Sequence, residues 1–188
     1  MIRPIAERTA IADCARVIRD GGVAIIPTDT VYGFAADAFN ENAVERIYRI
    51  KGREKNKPFL VLIPDTAAIG RFSDMPLPEE LRAKVPGAIT FILPLTERVS
   101  LSYVSGTIAL RVPDDAFLRE LLALSGPIVA PSANGAGAPL ITSVRELVKR
   151  YEEKVDIIID GGDIVDAAPS TIYDCIGKRV LRQGKVRV

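Results

Sequence analysis

Segments with helical spacing of apolar residues alternate along this chain with short apolar runs that predict buried strands. Near the N-terminus, apolar residues recur from Ile11 to Ile18 at helical spacing, Gly21-Gly22 ends that helix, and the apolar run Val23–Ile26 follows. The same alternation continues to the C-terminus and predicts at least seven strands. Their irregular connections favour a twisted mixed β-sheet with flanking helices over a regular doubly wound sheet. The 188 residues therefore predict a single α/β domain.

The two kinds of pattern also give approximate bounds for the elements. The apolar runs predict the strands Val23–Ile26, Phe59–Ile63, Ile89–Leu93, Thr107–Val112, Ile128–Ala130, Val155–Ile159, Ser170–Tyr173 and Val180–Arg182. The helical spacings predict the helices Ile11–Ile18, Val44–Ile50, Glu79–Lys84, Phe117–Leu122 and Val144–Tyr151. Ser143 and Glu146 form a capping-box pattern, so the last helix is predicted to begin just after Ser143.

The chain contains no histidine, and this excludes several classes of enzyme. Ser-His-Asp and Cys-His triads, histidine general bases and almost every zinc site need that residue. The two cysteines, Cys14 and Cys175, are too few for a thiolate cluster or a disulfide framework, and both are predicted to be unreactive core residues. Any chemistry must therefore use Lys, Arg, Asp, Glu, hydroxyl groups and backbone amides, with a hard cation if a metal takes part.

The sequence also predicts where the protein resides. No apolar run approaches the ~20 residues that a membrane-spanning helix requires. The N-terminal residues Met1–Pro4 lack the apolar stretch of a secretory signal. The low cysteine content fits a reducing compartment. We expect a cytoplasmic protein with no membrane partner.

Charge is segregated along the chain although the total is nearly balanced, with 25 basic and 24 acidic side chains. Residues 45–57 contain six basic and two acidic side chains, and residues 176–188 contain five basic side chains and no acidic one. The rest of the chain is therefore net acidic. These two basic clusters fit a solvated helix face and a basic tail. They equally fit an anion-binding site, because a focused positive patch attracts phosphates whatever the total charge.

Four short segments carry polar residues and glycine that packing alone does not require. Pro27–Gly33 and Pro131–Gly137 each follow a buried strand, which is where ligands bind in α/β sheets. Lys51–Pro58 places four cations within seven residues, which favours phosphate binding over simple compensation of a helix dipole. Pro169–Asp174 repeats the Pro-Ser pair. The first segment fits an ordinary turn equally well, with Asp29 bonding backbone amides.

Other motifs are absent or weak. No G-x-x-x-x-G-K-[ST] sequence occurs, so the chain is not a P-loop nucleotide-binding protein. Gly135-Ala136-Gly137 lacks the third glycine and the following helix of a dinucleotide fingerprint. A nucleophilic serine is disfavoured because no histidine is present to activate it. The pair Asp160 and Asp163 flanks two glycines, which indicates a turn before it indicates a glycosidase or a metal site.

Six segments, in this order along the chain, resemble the YrdC-like family of threonylcarbamoyl-AMP synthases. They are Pro27–Gly33, Lys51–Arg53 with Lys57-Pro58, Pro86–Thr90, Thr107–Pro113, Ala130–Asn134 and Ser170–Asp174. The resemblance implies a YrdC-like fold with a concave basic groove and a domain core from about residue 8 to 182. It also implies a nucleotidyltransferase that condenses L-threonine, bicarbonate and ATP into threonylcarbamoyl-AMP and pyrophosphate. A downstream tRNA threonylcarbamoyl transferase would then use this product to modify adenosine in tRNA.

The resemblance implies roles for particular residues of this chain. Lys51 and Arg53 would be catalytic and would lie along the phosphates of ATP. The other ATP-binding residues would be Lys57, Thr107, Ser132, Asn134 and Arg182. Threonine would be held by Thr30, Arg111, Ser170 and the backbone of Ala130, with Arg111 opposite its carboxylate. Mg²⁺ is expected to accompany ATP, held mainly by the nucleotide and water instead of a protein metal site.

The implied reaction suits a chain without histidine. The carbamate formed from threonine and bicarbonate attacks the α-phosphorus directly, so positioning and charge stabilisation supply the rate. The chain departs from the family at Leu62, where many longer members carry a histidine, and at Pro169, where a glutamate is often found. It also ends near the close of the catalytic domain, so the resemblance is to the single-domain form.

A second hypothesis belongs to a different class of function. The same two basic clusters could form a module of this fold that binds tRNA or double-stranded RNA without synthase activity. Only 6% of the residues are aromatic and none forms a base-stacking motif, so sequence signals for RNA specificity are few. The two functions can also coexist, since an enzyme with a basic groove can bind RNA.

Overall fold

Ten strands form one mixed sheet in a computed structural model that describes residues 1–188. The strands are β1 (Ile2–Pro4), β2 (Ala24–Ile26), β3 (Gly33–Asp37), β4 (Val61–Leu62), β5 (Ile89–Pro94), β6 (Thr107–Arg111), β7 (Ile128–Val129), β8 (Ile157–Asp160), β9 (Thr171–Asp174) and β10 (Arg179–Arg182). In space they follow the order β1-β8-β2-β3-β7-β4-β6-β5-β9-β10. Four neighbouring pairs are parallel and five are antiparallel, which confirms the predicted mixed sheet.

Six helices flank this sheet. They are α1 (Ala10–Arg19), α2 (Glu41–Lys51), α3 (Ile69–Phe72), α4 (Glu79–Arg82), α5 (Ala116–Ser125) and α6 (Val144–Tyr151). None of them has the length and apolar character that crossing a membrane would require. The predicted α/β architecture with flanking helices is thus confirmed.

Alternate residues of the strands face two cores on opposite sides of the sheet. In β2, Ile25 belongs to a core cluster of 35 buried residues, whereas Ala24 and Ile26 belong to a second cluster of 16. Helices α2 and α6 contribute side chains such as Ile47 and Leu147 to the larger cluster, and α1 and α5 supply the helical side chains of the smaller one. This arrangement follows from the period of two along a strand.

Side-chain caps and a glycine set the ends of two helices. Asn40 accepts a hydrogen bond from the Ala43 amide (3.0 Å) at the start of α2, and Asp115 accepts one from the Leu118 amide (2.8 Å) at the start of α5. Helix α2 ends at Gly52, whose φ of 61° lies in the left-handed region that glycine adopts without steric cost. The chain therefore leaves α2 abruptly, with basic residues on both sides of the glycine.

Helix α6 begins at Val144 as predicted, but the predicted capping box is wrong. The Ser143 side chain makes no capping hydrogen bond. Instead, the Val144 amide donates to Oδ1 of Asp163 at 2.8 Å. This cap comes from a distant part of the chain, so a local sequence pattern cannot reveal it.

Replacing Asp163 with alanine is expected to lower the free energy of unfolding by about 1 kcal/mol, because the α6 N-terminus would lose its acceptor. Ser143→Ala is the matched control and should change that free energy by less than about 0.5 kcal/mol. Urea denaturation followed by circular dichroism measures both. Equal losses in the two variants would contradict the tertiary cap.

The sequence patterns miss β1, β3 and α3 and overextend β4. Strand β3 reads Gly-Phe-Ala-Ala-Asp, which forms neither a solid apolar run nor a clear alternation. It is a strand because β2 and β7 pair with it on its two sides, so tertiary context overrides its weak propensity. The run Phe59–Ile63 is predicted to be one strand, but only Val61–Leu62 is, because β6 and β7 pair with it over just those two residues.

Both cysteines are buried, and burial raises the pKa of Cys14 and of Cys175 to about 12. Thiols with such pKa values stay protonated at neutral pH, whereas the thiolate is the reactive form. The prediction that both are unreactive core residues is therefore confirmed.

Candidate active site

A cavity of about 410 Å³ lies on one face of the sheet, over strands β4, β5, β6 and β9. Its floor consists of alternate strand residues, namely Leu62, Thr90, Ile92, Ala109, Arg111 and Ile172. The residues between them, such as Phe91 and Leu110, point the other way into the larger core. A volume of this size falls within the range of about 300–1,000 Å³ that is usual for small-molecule sites.

The loops predicted from the sequence to bind a ligand converge on the walls of this cavity. They contribute Thr28 to Gly33 after β2, Lys51 to Leu60 after α2, Ala130 to Ser132 after β7, and Pro169 and Ser170 before β9. Arg182 of β10 completes the wall. Four segments that are distant in sequence thus meet at one site.

The charge of the cavity wall has one sign. Four cationic side chains line it and no carboxylate does, the cations being Lys51, Arg53, Arg111 and Arg182. Hydroxyl groups of Thr28, Thr30, Thr90, Ser132 and Ser170 lie among them. Such a wall favours an anionic ligand with several oxygen atoms, for which arginine and hydroxyl donors are well suited.

Lys51, the last residue of α2, is buried with only 5% of its surface exposed. Its Nζ donates to the backbone oxygen of Ser132 and to that of Asn134 (2.7 Å), and it lies 3.5 Å from Oδ1 of Asn134. Burial, together with the positive charge of Arg53, lowers the pKa of Lys51 to about 8.

Arg53 and Lys57 lie on the segment that leads from α2 to β4. Nε of Arg53 donates to the Lys57 backbone oxygen (2.9 Å) and its Nη2 donates to that of Pro58 (3.3 Å). Lys57 does not line the cavity, because its exposed Nζ pairs with Glu54 at 3.1 Å. The structure therefore brings Arg53 to the site, and Lys57 only next to it.

The residues Ser132 and Asn134 are linked to each other. The Ser132 hydroxyl donates to Oδ1 of Asn134 (2.5 Å), and Nδ2 of Asn134 donates to the backbone oxygen of Ala138 (2.5 Å). Ser132 lines the cavity, but Asn134 is buried within its own loop and does not. Asn134 thus stabilises the loop in this structure, whereas the sequence predicted that its amide faces phosphate.

Thr107 is the third predicted residue that the structure keeps out of the cavity lining. It lies on β6 on the same face as Ala109 and Arg111, because residues two apart in a strand share a face. Its position at the exposed start of the strand places it beyond the floor residues.

Arg111 and Thr30 form a buried network at one end of the cavity. Arg111 is 3% exposed; its guanidinium donates to Oγ1 of Thr30 (3.0 Å), to the Gly87 backbone oxygen (3.2 Å) and to Oδ1 of Asp29. Asp29 is therefore the counter-ion of this arginine. The sequence singled out Asp29 only as a turn residue.

Ser170 and Arg182 form a second network near β9. Arg182 donates to the Ser170 backbone oxygen through Nη2 (2.8 Å) and Nε (3.2 Å), and burial lowers the pKa of Arg182. The hydroxyls of Ser170 and Thr90 are hydrogen-bonded at 2.8 Å. Ala130 also lines the cavity, so eight of the eleven predicted site residues do so.

Several lining residues were not predicted from the sequence. Thr90 lies in a segment that carries the family resemblance, but neither it nor Ala109 received a role. In β6, the sequence Thr-Ile-Ala-Leu-Arg alternates small or polar residues with large apolar ones, and that alternation marks its cavity face. Leu62, the position at which the sequence departs from the family resemblance, also lines the cavity and places an apolar side chain there.

A second cavity, of about 530 Å³, lies around α3 and the segment that follows it. Its charged lining residues are already paired, Asp74 with Arg98 and Arg82 with Glu79. No unpaired cations converge there. The smaller cavity is therefore the candidate active site.

Known proteins resemble this chain over most of its length. The family model described as "Sua5_yciO_yrdC: Telomere recombination" matches residues 16–184. The threonylcarbamoyl-AMP synthase of Pyrococcus abyssi is 36% identical over 179 residues, a match that covers 92% of this chain and 53% of the relative. The threonylcarbamoyl-AMP synthase of Pseudomonas aeruginosa is 32% identical over 177 residues, covering 91% of this chain and 96% of the relative. The chain thus spans about half the length of the first relative.

A solved structure has the same fold. The crystal structure of P. abyssi Sua5 complexed with L-threonine superposes with a TM-score of 0.89 at 34% sequence identity, covering 98% of this chain and 57% of that chain. The family match extends over most of the chain and includes all four segments that form the cavity wall. The chain belongs to the Sua5/YciO/YrdC family.

Proposed function

We propose that this chain is a threonylcarbamoyl-AMP synthase, which condenses L-threonine, bicarbonate and ATP into threonylcarbamoyl-AMP and pyrophosphate. The observation that carries the proposal is the cavity wall with four cations, five hydroxyls and no carboxylate. The names of the relatives support the choice of reaction, and the solved relative that binds L-threonine supports the amino acid.

The cavity offers two regions for the two larger substrates. Arg53 and Arg182 supply donors for the phosphates of ATP, Ser132 lines the same wall beside them, and Thr107 and Lys57 lie outside the cavity lining. Arg111, Thr30, Ser170 and the Ala130 backbone form the region for threonine, in which the Arg111 guanidinium faces the threonine carboxylate. Arg111 has five N–H donors and uses three of them within the protein, so donors remain for a carboxylate.

In the proposed reaction, the threonine amine and bicarbonate form a carbamate with loss of water. A carbamate oxygen attacks the α-phosphorus, the bond to the bridging oxygen of pyrophosphate breaks, and pyrophosphate leaves with that electron pair. The cations of this chain orient the two anions and stabilise the charge that develops on the phosphates. No side chain needs to become a nucleophile, which agrees with the absence of histidine.

Mg²⁺ enters this scheme as part of the substrate MgATP. The chain has no group of three or more Cys, Asp or Glu side chains that could hold a metal ion by itself. Asp29, a carboxylate beside the amino-acid region, is paired with Arg111. The nucleotide and water would therefore supply the ligands of the ion, which would neutralise charge on the phosphates.

Pyrophosphate release from ATP is expected only when threonine and bicarbonate are both present. Arg53→Ala should lower its rate by roughly 100-fold, the typical loss when one donor to developing charge is removed. Lys55→Ala is the matched control from the same basic segment; it carries an exposed ion pair with Glu45 and should stay within about twofold. Pyrophosphate release that ignores threonine would contradict the proposed function.

The product is proposed to pass to a downstream tRNA threonylcarbamoyl transferase in the cytoplasm. The alternative function, a module that only binds tRNA or double-stranded RNA, would use exposed cations such as Lys55, Lys57, Lys178 and Arg179. It would leave the buried cations of the cavity without a role. Binding of this kind would weaken steeply as salt is raised, whereas pyrophosphate release separates catalyst from pure RNA-binding protein.

A further inference from the structure

We propose that Lys51 is a positioning residue, whose ammonium group holds the loop Ser132–Ala138 in its binding shape instead of contacting the phosphates itself. The inference rests on the proposed function only in that this loop binds the nucleotide. It replaces the catalytic role that the family resemblance implied for Lys51.

All the acceptors of the Lys51 ammonium lie on that loop. They are the backbone oxygens of Ser132 and Asn134 and, at 3.5 Å, Oδ1 of Asn134. The backbone oxygen of Lys51 also accepts a hydrogen bond from the Ala136 amide (2.8 Å). A lysine has three N–H donors, so this set leaves none for a ligand. Helix α2 and the loop are thus joined through both the side chain and the main chain of one residue.

The contact also orients the next peptide group of the loop. In a trans peptide, C=O and N–H point in opposite directions. When the Asn134 oxygen faces Lys51, the N–H of Gly135 points away from Lys51. That N–H has no acceptor within the protein. It is therefore available to an anionic ligand, in a loop whose small residues allow close approach.

Arg53 provides the contrast. It uses Nε and Nη2 to bond the backbone oxygens of Lys57 and Pro58, and its Nη1 has no acceptor within the protein. It is also more exposed than Lys51. Two cations that are two residues apart thus have different roles: Arg53 can reach a phosphate, and Lys51 shapes the loop.

Calorimetric titration with AMP, ADP and ATP distinguishes the two roles. Lys51→Gln removes the charge but keeps two donors for the loop oxygens, so its affinity loss should be the same for the three nucleotides within about twofold. The comparison variant Arg53→Gln should lose more affinity with each added phosphate. A loss in Lys51→Gln that grows with phosphate number, as in Arg53→Gln, would overturn the proposal.

Amide hydrogen exchange of the free protein tests the same role without any nucleotide. In Lys51→Met, the Ala136 amide should exchange at least about tenfold faster, because the loop loses its side-chain attachment to α2 and keeps only the main-chain hydrogen bond. Exchange should be unchanged in Arg53→Gln and close to the original in Lys51→Arg, which keeps the charge and the donors. Unaltered exchange in Lys51→Met would refute the positioning role.

The nucleotide titration and the exchange experiment test the proposed function and the role of Lys51 independently. If the unaltered protein binds no nucleotide, the proposed function fails, yet exchange at the loop still decides the role of Lys51. If Lys51→Met does not fold, Lys51→Gln replaces it in the exchange experiment, with a smaller acceleration expected. An equal rate in the unaltered protein and in Lys51→Gln would then overturn the inference.

Discussion

Replacing Asp29 with alanine is expected to lower the free energy of unfolding by about 3–5 kcal/mol, the usual loss when one partner of a buried ion pair is removed. The side chains of Arg111 and Asp29 are 4% and 15% exposed, so water solvates the guanidinium poorly once its partner is gone. The remaining acceptors, Oγ1 of Thr30 and the Gly87 oxygen, are neutral. Urea denaturation with a two-state fit measures the change.

Two further variants distinguish the stability cost of an unpaired buried charge from the cost of removing a charge at the surface. Asp114→Ala removes the acid of an exposed pair with Arg119, whose side chains are 65% and 52% exposed, and should cost at most about 1 kcal/mol. The double variant Asp29→Ala/Arg111→Leu should recover part of the stability, because it leaves no unpaired charge behind. If Asp29→Ala costs no more than Asp114→Ala, the pair is not the structural centre of the amino-acid region.

The location of the site could be predicted from the sequence, because it depends on where chain segments end. Polar, glycine-containing segments after β2, α2 and β7 and before β9 were predicted to bind ligand, and the fold brings them to one cavity. The segments after β2 and β7 follow buried strands, and because both strands pair antiparallel with β3 they run in the same direction, so their carboxyl ends lie at the same edge of the sheet. The basic segment after α2 was likewise predicted to face an anion.

The different roles of the residues within the site could not be predicted in this way. Lys51 and Arg53 look equivalent in sequence and both line the cavity, yet the Lys51 ammonium is bonded to oxygens of one loop, whereas Arg53 keeps a free donor. Asn134 appears suited to a phosphate but bonds within its own loop. These outcomes depend on which acceptors the fold places around each side chain, and contacts between residues some 80 positions apart leave no local pattern.

Contacts between residues distant in sequence also explain why parts of the fold were predicted wrongly. Asp163 caps α6 from a distant turn, and β3 owes its conformation to partners on both sides. By contrast, the alternation in β6 contained information about the cavity face that runs of apolar residues alone do not use. A search for period-two alternation would have added Ala109 to the predicted site.

Raising the pH above about 8 is expected to weaken ATP binding by this protein while its free energy of unfolding increases. Both effects come from Lys51, whose pKa is about 8 in the folded protein, below its ordinary value of 10.5. Burial is the main cause and the neighbouring Arg53 the second; the groups that face the ammonium are neutral oxygens and the ring of Phe34. No carboxylate is among these groups, so only the hydrogen bonds to neutral oxygens favour the protonated form, and burial outweighs them.

The sign of each effect follows from which state holds the proton. Between pH 8 and 10.5 the folded protein has released the Lys51 proton and the unfolded chain still binds it. Stability therefore rises with pH in this window, by up to about 1.4 kcal/mol per pH unit from this group. Over the same window the neutral amine holds the loop Ser132–Ala138 less firmly, so ATP affinity should fall by up to roughly tenfold per unit.

Titration of ATP affinity and of urea stability from about pH 7 to 10 tests both trends in one protein. The chain has no histidine, and the pKa values of its cysteine thiols are about 12, so neither type of group obscures the window. In Lys51→Arg the decline in ATP affinity should move to higher pH, because a guanidinium keeps its proton there. A decline that persists unchanged in this variant would assign the pH dependence to another group, since all other ionisable groups are the same in both proteins.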